Sequence, residues 1–482
     1  MSARTHSARV LSAAVCLALL LGNCSGDADG RPEGEPTPAE TGGSSTTDQE
    51  TAAETADDPG AAAEPGTYLP LQEGMEREWP EPVGSVEAEN PDAGELAVLG
   101  VHRLDEEHAV VTGRLTLEEF PDRSSLWTEP GHFQGGVRGS EFSAVSLTAG
   151  DDTTYLPVRD DEGWCLCSTL NLQSEGETDT PVWTVVTAPP EGTSEVDVHV
   201  AGFGTLEDVP ITDLPTDQSV PLGWAETLLV RSAERENGAV RVRLAIGNPT
   251  GPHTRNLDRY QFGRDWFTDG CFQGLAAWGS QAPTGHAAEE PDCQRGALPE
   301  EGEQVELEVL AGDPGTEEIV LLPTTGLPVS GIPVTGEAQE GEGPEVYPYR
   351  TRTESAGAEV SRGESLTVTL DTEVLFDPDE SELTAEADAT LDEAVETLEG
   401  QDGRTITVAG HTDTQGGDEY NLNLSRDRAE TVAEALESRL GEGWTIETEW
   451  HGETQLAIPE RGSEEEIEAA RARNRRVEIT VE

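Results

Sequence analysis

Short runs of alternating apolar and polar residues occupy the middle of the chain, from about residue 80 to residue 336, with turn-forming residues between them. The run at 196–200 alternates in this way, and the run at 182–186 is rich in β-branched and aromatic residues. A period of two is expected of a strand that buries one face. No run with a helical period of useful length interrupts the series, so the pattern predicts an all-β region.

The series of strands restarts near residue 218. Each half ends in a similar phrase, Asp-Val-Pro-Ile at 208–211 and Gly-Ile-Pro-Val at 331–334. Many short strands without helices are typical of immunoglobulin-like sandwiches. We therefore expect two such β-sandwiches in tandem, over residues 80–215 and 218–336.

The hydrophobic pattern changes after residue 365. Strand-like alternation there occurs in three runs, at 366–370, 405–409 and 477–481. Between these runs apolar residues recur at helical spacing, and Gly400 and Gly441 mark predicted helix ends. Ser425 is the predicted N-cap of the second long helix. The pattern predicts an α+β domain over 365–482.

Two stretches contain mostly Gly, Pro, Thr, Ala, Asp and Glu, with few large apolar side chains. Residues 25–79 are therefore predicted to form a disordered acidic tether. Residues 337–364 are predicted to form a linker. Residues 1–24 are typical of an export signal peptide, because two arginines precede an apolar run too short to span a bilayer.

The apolar run ends in Leu-Gly-Asn-Cys at 21–24, which resembles a bacterial lipobox, with Asn23 in place of the usual small residue. The resemblance implies that Cys24 is acylated (a palmitate-type modification) and inserts into the lipid bilayer. Cys16 leaves with the signal peptide, so four cysteines remain. In an exported protein we expect them to form disulfides, with Cys271–Cys293 and Cys165–Cys167 as the favoured pairs and crossed pairing left open.

The net charge of the chain limits the classes of binding partner. The chain has 97 acidic residues and 29 basic ones, all arginine, for a net charge of −68. Nucleic-acid binding requires clustered cations that displace counterions, so no nucleic-acid partner is expected. The same charge disfavours electrostatic adhesion to anionic lipids. His411 next to Asp413 could suggest a metal site or an acid–base pair. A lone histidine in a loop is more often structural, so no metal or cofactor is expected.

Two motifs in the C-terminal domain carry the main functional signal. The first begins Gly-His-Thr-Asp at 410–413 and continues through Leu-Ser at 424–425 to Arg-Ala at 428–429; the second reads Arg-Ala-Arg-Asn-Arg-Arg-Val-Glu-Ile at 471–479. In this order they resemble the signature of the OmpA-like peptidoglycan-binding domain. The resemblance implies a mixed sheet with helices on one face. The chain departs from the family pattern at 450–453, where Trp-His-Gly-Glu replaces Gly-x-Gly-Glu.

The resemblance also implies a site for the diaminopimelate residue of a peptidoglycan stem peptide. Asp413, on a loop after a strand, and Arg428, in the predicted first turn of a helix, match the family's ligand-binding aspartate and arginine. Asn421, in the same motif, would add a hydrogen bond. Five further residues are expected to line this site, namely Thr412, Leu424, Phe376, Asp377 and Arg475.

These expectations favour a non-enzymatic lipoprotein, lipid-anchored on the outer face of the cytoplasmic membrane, that binds the cell wall through its C-terminal domain. Two alternatives stay open. The β-sandwiches could bind a solute or an adhesion partner, with the wall-binding domain as an anchor. The chain could also be a wall-modifying enzyme that carries a wall-binding module. An unknown protein partner of the sandwiches is compatible with any of these.

Overall fold

The computed structural model describes residues 68–481, with gaps of which the longest are 118–141, 250–266, 285–300 and 339–348. Strand β1 (Tyr68–Pro70) is the first described element. All four helices of the described part follow residue 371, and none of them is long and apolar enough to span a bilayer. The fold is therefore mostly β-strand, with helices confined to the C-terminal region.

The first β region has eight strands: β2 (Gly84–Glu87), β3 (Glu95–Arg103), β4 (His108–Leu117), β5 (Val145–Ala149), β6 (Thr153–Asp160), β7 (Thr178–Thr187), β8 (Glu195–Val200) and β9 (Gly204–Asp213). Strand β3 pairs with β4 in antiparallel and with β9 in parallel orientation, and β2 pairs with β3. The order continues as β4–β7 on one side and β9–β8–β5–β6 on the other. Alternate residues, such as Val196, Val198 and Val200 of β8, point into a shared apolar core.

The second β region comprises ten strands after β9: β10 (Ser219–Leu222), β11 (Glu226–Glu236), β12 (Ala239–Gly247), β13 (Phe267–Thr268), β14 (Cys271–Phe272), β15 (Leu275–Gly279), β16 (Ala282–Thr284), β17 (Glu303–Gly312), β18 (Glu318–Pro323) and β19 (Val329–Thr335). Strand β11 pairs with β12 in antiparallel and with β19 in parallel orientation. The order again continues as β12–β17 and as β19–β18–β15–β16. The two regions thus repeat one set of strand pairings.

Strand β1 corrects the predicted extent of the tether. It pairs with β17, and Met75, which follows it, is fully buried beside Gly247. Strand β1 therefore extends the edge of the second β region, and Leu71 and Met75 pack beside Gly247 of β12. The rest of the predicted tether before residue 68 lies outside the described residues, as does the predicted signal peptide.

A separate apolar cluster joins the two β regions. Leu322 of β18 packs among residues of the first region that include Val158 and Trp183, and the Trp183 indole N–H donates a 2.7 Å hydrogen bond to the Pro323 carbonyl. Cys165 and Cys167 are linked by a disulfide that flanks Leu166 of the same cluster. The other predicted disulfide, Cys271–Cys293, falls outside the described side chains.

The C-terminal domain contains the remaining elements: β20 (Tyr349–Ser355), β21 (Ala358–Arg362), β22 (Leu366–Asp371), α1 (Thr372–Leu375), α2 (Ala387–Glu399), β23 (Thr405–His411), α3 (Asp418–Leu440), β24 (Thr445–Gly452), α4 (Glu464–Asn474) and β25 (Arg476–Val481). The sheet order is β24-β23-β25-β22-β21-β20. It is mixed, because β24 runs parallel to β23 whereas the other neighbours are antiparallel. Its core combines strand residues with the inner faces of α2 and α3.

The predicted linker 337–364 is wrong in its second half, which forms β20 and β21. Strand β20 pairs with β6 of the first β region, so both belong to one 14-stranded sheet. The buried Arg352 reinforces this junction, with its backbone N–H on Thr187 and its guanidinium on Glu359 and the Pro157 carbonyl. The chain from Ala61 to Glu482 is accordingly one compact unit.

Helix α3 also differs from its prediction. It begins at Asp418 after the N-cap Gly417, seven residues before the predicted N-cap Ser425. Asp418 and Glu419 favour this earlier start, because carboxylates stabilise the positive end of the helix dipole. Ser425 lies inside the helix, where its hydroxyl donates to the Leu422 carbonyl. The predicted end at Gly441 is confirmed, with a φ of 77° at that C-cap.

Two glycines allow α3 to approach the sheet closely. A Cβ atom on Gly410 of β23 would lie 2.1 Å from the Ser425 carbonyl oxygen. Gly452 of β24 has a φ of 53°, and a Cβ there would lie 3.0 Å from the Leu422 backbone nitrogen. The Gly452 N–H donates to the Ser425 hydroxyl at 3.0 Å. Backbone therefore contacts backbone where the helix crosses the strand ends.

Gly410→Ala should destabilise the domain by about 1–3 kcal/mol or more, because the added methyl overlaps helix backbone that cannot rotate away. Urea denaturation of the full chain measures this change. Gly400→Ala is the matched control, since Gly400 has a helical φ of −69° and a Cβ there would meet its nearest neighbour at 3.5 Å. Equal midpoints for the two variants would contradict the close-approach account.

Candidate functional site

The candidate site lies where β23 ends and α3 begins. Asp413, only 5% exposed, follows β23 on the loop to the helix. Its Oδ1 accepts a hydrogen bond from the Gln415 backbone at 2.9 Å, and its Oδ2 accepts one from Arg475 Nη1 at 2.6 Å. Both carboxylate oxygens are thereby fixed in direction, which leaves their remaining lone pairs available to a ligand.

Arg428 projects from α3 into the same region. It is 4% exposed, its Nε donates to the Glu380 carbonyl at 3.0 Å, and its guanidinium lies 5.2 Å from the centre of the Phe376 ring. Within the described residues, its two terminal nitrogens have no hydrogen-bond partner and no carboxylate within ion-pairing distance. Burial lowers the pKa of Arg428, and the nearby Asp379 and Asp413 oppose that shift. Arg428 is therefore a largely desolvated cation that has no direct anionic partner among the described residues.

The predicted place of Arg428 in a first helical turn is wrong. Since α3 starts at Asp418, Arg428 follows ten residues later, about 15 Å along the axis. The helix N-terminus therefore does not assist Arg428, because the dipole acts within the first turn. Burial against Phe376, rather than the helix dipole, is what makes an anionic partner favourable there.

Arg475 connects three carboxylates at the edge of the site. Its guanidinium contacts Asp413, Glu373 at 2.5 Å and Glu468 at 3.3 Å. Burial alone would lower the pKa of Arg475, but the hydrogen bonds to Asp413 and Glu373 raise it. Arg475 therefore stays charged and orients Asp413, which fits a positioning role.

The other predicted site residues differ in their burial and in their hydrogen bonds. Asn421 is buried, and its amide donates to the Asp413 carbonyl at 3.3 Å and to Glu453 at 2.6 Å. Thr412 is buried with a hydroxyl that has no partner among the described groups. Leu424 is half-buried and Asp377 is exposed. The Asp377 carbonyl accepts a hydrogen bond from the Glu380 N–H at 3.0 Å, so it shapes the turn that contacts Arg428.

Sequence reasoning missed two contributors. Glu380 acts through its backbone carbonyl, for which side-chain chemistry gives no signal. Tyr420, 47% exposed at the start of α3, donates its hydroxyl to Asp379 at 3.1 Å and so links the helix to the loop that holds Arg428. Asp379 adopts a φ of 61°, a left-handed conformation that Asp tolerates better than most residues.

His411 lies directly behind the site, at the end of β23. It is 1% exposed, its ring centre is 5.0 Å from that of His451, and its Nε2 is 3.7 Å from Glu478. Burial and the nearby Arg476 lower the pKa of His411 from 6.5 to about 4. The imidazole is therefore neutral in the folded protein at neutral pH.

This shift predicts acid sensitivity. The unfolded chain takes up a proton on His411 below pH 6.5, whereas the folded chain resists until about pH 4. The free energy of unfolding therefore has its full value with respect to this group above pH 6.5. It falls by about 3 kcal/mol as the pH is lowered to 4. Urea denaturation across this window should show a smaller loss for His411→Gln. The exposed His199→Gln is the control; an unchanged slope in His411→Gln would contradict the assignment.

Comparison with known protein families finds a match that includes Asp413 and Arg428. Residues 375–473 match the model of the OmpA family. Outer membrane protein A of Bordetella avium is 34% identical over 114 residues, which cover 24% of this chain and 56% of that protein. The peptidoglycan-associated lipoprotein of Legionella pneumophila is 35% identical over 108 residues, which cover 22% of this chain and 58% of that protein.

Among solved structures, the cell wall anchor of the T6SS from Pseudomonas aeruginosa is 28% identical, with 26% of this chain and 87% of that chain covered and a TM-score of 0.23. The chain spans less than two thirds of the two curated relatives. The likeness to these relatives therefore concerns part of the chain only. Residues 375–473 of this chain form a domain that matches the OmpA family.

Proposed function

We propose that this protein is a non-enzymatic component of the cell envelope that binds peptidoglycan non-covalently through its C-terminal domain. One observation carries the proposal: Arg428 is buried, and its terminal nitrogens have no partner among the described residues, near a carboxylate, Asp413, that is held in a fixed direction. A cation and an anion held in these positions suit a ligand that itself carries one negative and one positive group.

The diaminopimelate residue of a stem peptide has this character, because its side chain ends in an ammonium and a carboxylate on one carbon. The free fork of Arg428 matches the carboxylate, which it can bind through two parallel hydrogen bonds. Asp413 matches the ammonium while it keeps its bond to Arg475. Asn421 and the unpaired Thr412 hydroxyl supply further polar groups at the same place.

One named similarity supports this reading. The Legionella pneumophila relative is named a peptidoglycan-associated lipoprotein. That name concerns that protein. Transferred to this chain, it supports wall association through the C-terminal domain, which the two alternatives also include.

The N-terminal part of the proposal is a lipid anchor. Acylation of Cys24 would hold the protein on the outer face of the cytoplasmic membrane, and the acidic stretch that follows would span the distance to the wall. Two acyl chains are needed for stable anchoring, since a single chain binds only marginally. Membrane and wall would then be linked through one polypeptide.

We also propose that the two β regions are immunoglobulin-like sandwiches. Their repeated strand pairings and their separate apolar cores support this reading. One feature departs from antibody-type domains, because Trp183 packs at the junction of the regions rather than against a disulfide in a core. Their role would be to space and orient the wall-binding site, to which the first region is joined through β6 and β20.

Arg428→Lys should weaken binding of a diaminopimelate-containing stem peptide at least about thirtyfold, because a lysine keeps the charge but loses the fork. Asp413→Asn should have a similar effect through loss of the ammonium partner. Calorimetric titration of the full chain measures both. Arg426→Ala is the matched control, since Arg426 is on the same helix and, among the described residues, forms an ion pair only with the exposed Asp427. Wild-type affinity in both site variants would refute the proposed site.

Cys24→Ser should release the protein from the membrane fraction into the soluble fraction while stem-peptide binding stays unchanged. Metabolic labelling with a fatty-acid analogue provides the direct readout, with Cys16→Ser as the control because Cys16 precedes the cleavage point. Continued labelling of the Cys24→Ser variant would contradict the lipid anchor without affecting the peptidoglycan site.

A further inference from the structure

Strand β24 is a free edge of the sheet. It lies at one end of the 14-stranded sheet and, among the described strands, pairs only with β23. It extends over eight residues, Thr445–Gly452, without a proline. A long edge strand of this kind presents unpaired backbone N–H and C=O groups to any chain that can align with it.

A groove runs between this edge and α3. It has a cavity volume of about 490 Å³, and its wall and floor include Glu430, Glu434, Glu437, Trp444, Ile446 and Thr448. The floor residues are Trp444, Ile446 and Thr448. Ile446 and Thr448 share one face of β24, and Trp444, directly before the strand, continues the same alternation. A groove bounded by a helix and an open strand edge is the geometry in which extended peptides add to a sheet.

Trp450 prolongs the floor of this groove. It continues the alternation of the floor residues and is 40% exposed. In the parallel register it is paired with Gly410, whose missing Cβ faces Ser425 of α3. Trp450 is therefore on the helix side of the sheet, where an exposed aromatic ring is a typical anchor for a bound segment.

The helix wall of the groove is anionic. Three glutamates of α3, at 430, 434 and 437, line it, and Glu442 continues the row after the helix. Among the described residues, none of these carboxylates forms an ion pair. One cation already lies at the floor, where the Arg404 guanidinium is 4.8 Å from the Trp444 ring. The groove thus combines an aromatic floor with a wall of carboxylates. Both features favour the binding of cationic side chains.

We propose that this groove binds an extended, cationic segment of another protein, which adds as a strand to β24. Backbone hydrogen bonds along the edge would supply general affinity, and arginine or lysine side chains facing α3 would supply selectivity. From Trp444 to Trp450 the floor spans about 20 Å at the rise of a strand. A segment of about six residues would fill it.

Charge decides between this occupant and two others. A second copy of the chain would bring the same glutamate rows, together with Glu447 and Glu449 of β24, against one another. The N-terminal stretch 25–66 of this chain has eleven acidic residues and one arginine, Arg31, so it is repelled as well. The surface is independent of the peptidoglycan site, because it uses neither Asp413 nor Arg428.

Three synthetic peptides test the proposal by titration against the full chain. The first alternates arginine and valine, the second glutamate and valine, and the third arginine and proline, each about eight residues long. The first should bind, and the second should not. The third keeps the charge but lacks the backbone N–H group at every second residue, so it should bind at least about tenfold more weakly. Equal binding of the first and third peptides would overturn strand addition.

Variants locate the binding surface. Trp450→Ala and the double variant Glu434→Gln/Glu437→Gln should each weaken the arginine–valine peptide at least about fivefold. The matched control is Glu396→Gln/Glu399→Gln, which removes the same charge from the exposed face of α2. If the control weakens binding as much as the groove variants, or if both groove variants bind like the wild type, the groove is not the site.

Discussion

The close approach of α3 to the ends of β23 and β24 is the constraint on which the C-terminal domain depends. It is possible only because Gly410 and Gly452 place no side chain between helix and strand. As a result Asn421, on the buried face of α3, reaches the Asp413 carbonyl at the end of β23, and Arg428 reaches the loop at Glu380. A packing requirement, rather than any attraction between Asp413 and Arg428, brings the two charges into one site.

The acidic composition limits how many carboxylates can form ion pairs. Because the chain carries a net charge of −68, carboxylates outnumber their possible partners. Buried arginines are therefore informative. Arg352 and Arg476 are each matched by a carboxylate and by backbone carbonyl groups. Among the described residues, Arg428 has only a backbone carbonyl and an aromatic ring, which is why we regard it as a binding residue rather than a structural one.

The sequence allowed much of the C-terminal domain to be predicted, because apolar spacing and terminal glycines determine α2, β23 and the end of α3. It was less informative about where α3 begins, since Ser425 has the chemistry of an N-cap but points its hydroxyl to its own helix and to Gly452. The pairing of β20 with β6 was not predicted either, because neighbouring strands separated by almost two hundred residues leave no local pattern. Of the site residues, Glu380 could not be recognised, since only its backbone takes part.

The central claim is that Arg428 recognises the extra carboxylate of diaminopimelate. The most direct measurement is a thermodynamic cycle with two stem peptides, one containing diaminopimelate and one containing lysine, against the wild-type chain and Arg428→Ala. The account predicts that the wild type prefers the diaminopimelate peptide at least about tenfold and that this preference disappears in Arg428→Ala, because a charged pair with strong coupling is removed. A preference of the same size in the variant, or no preference in the wild type, would contradict it.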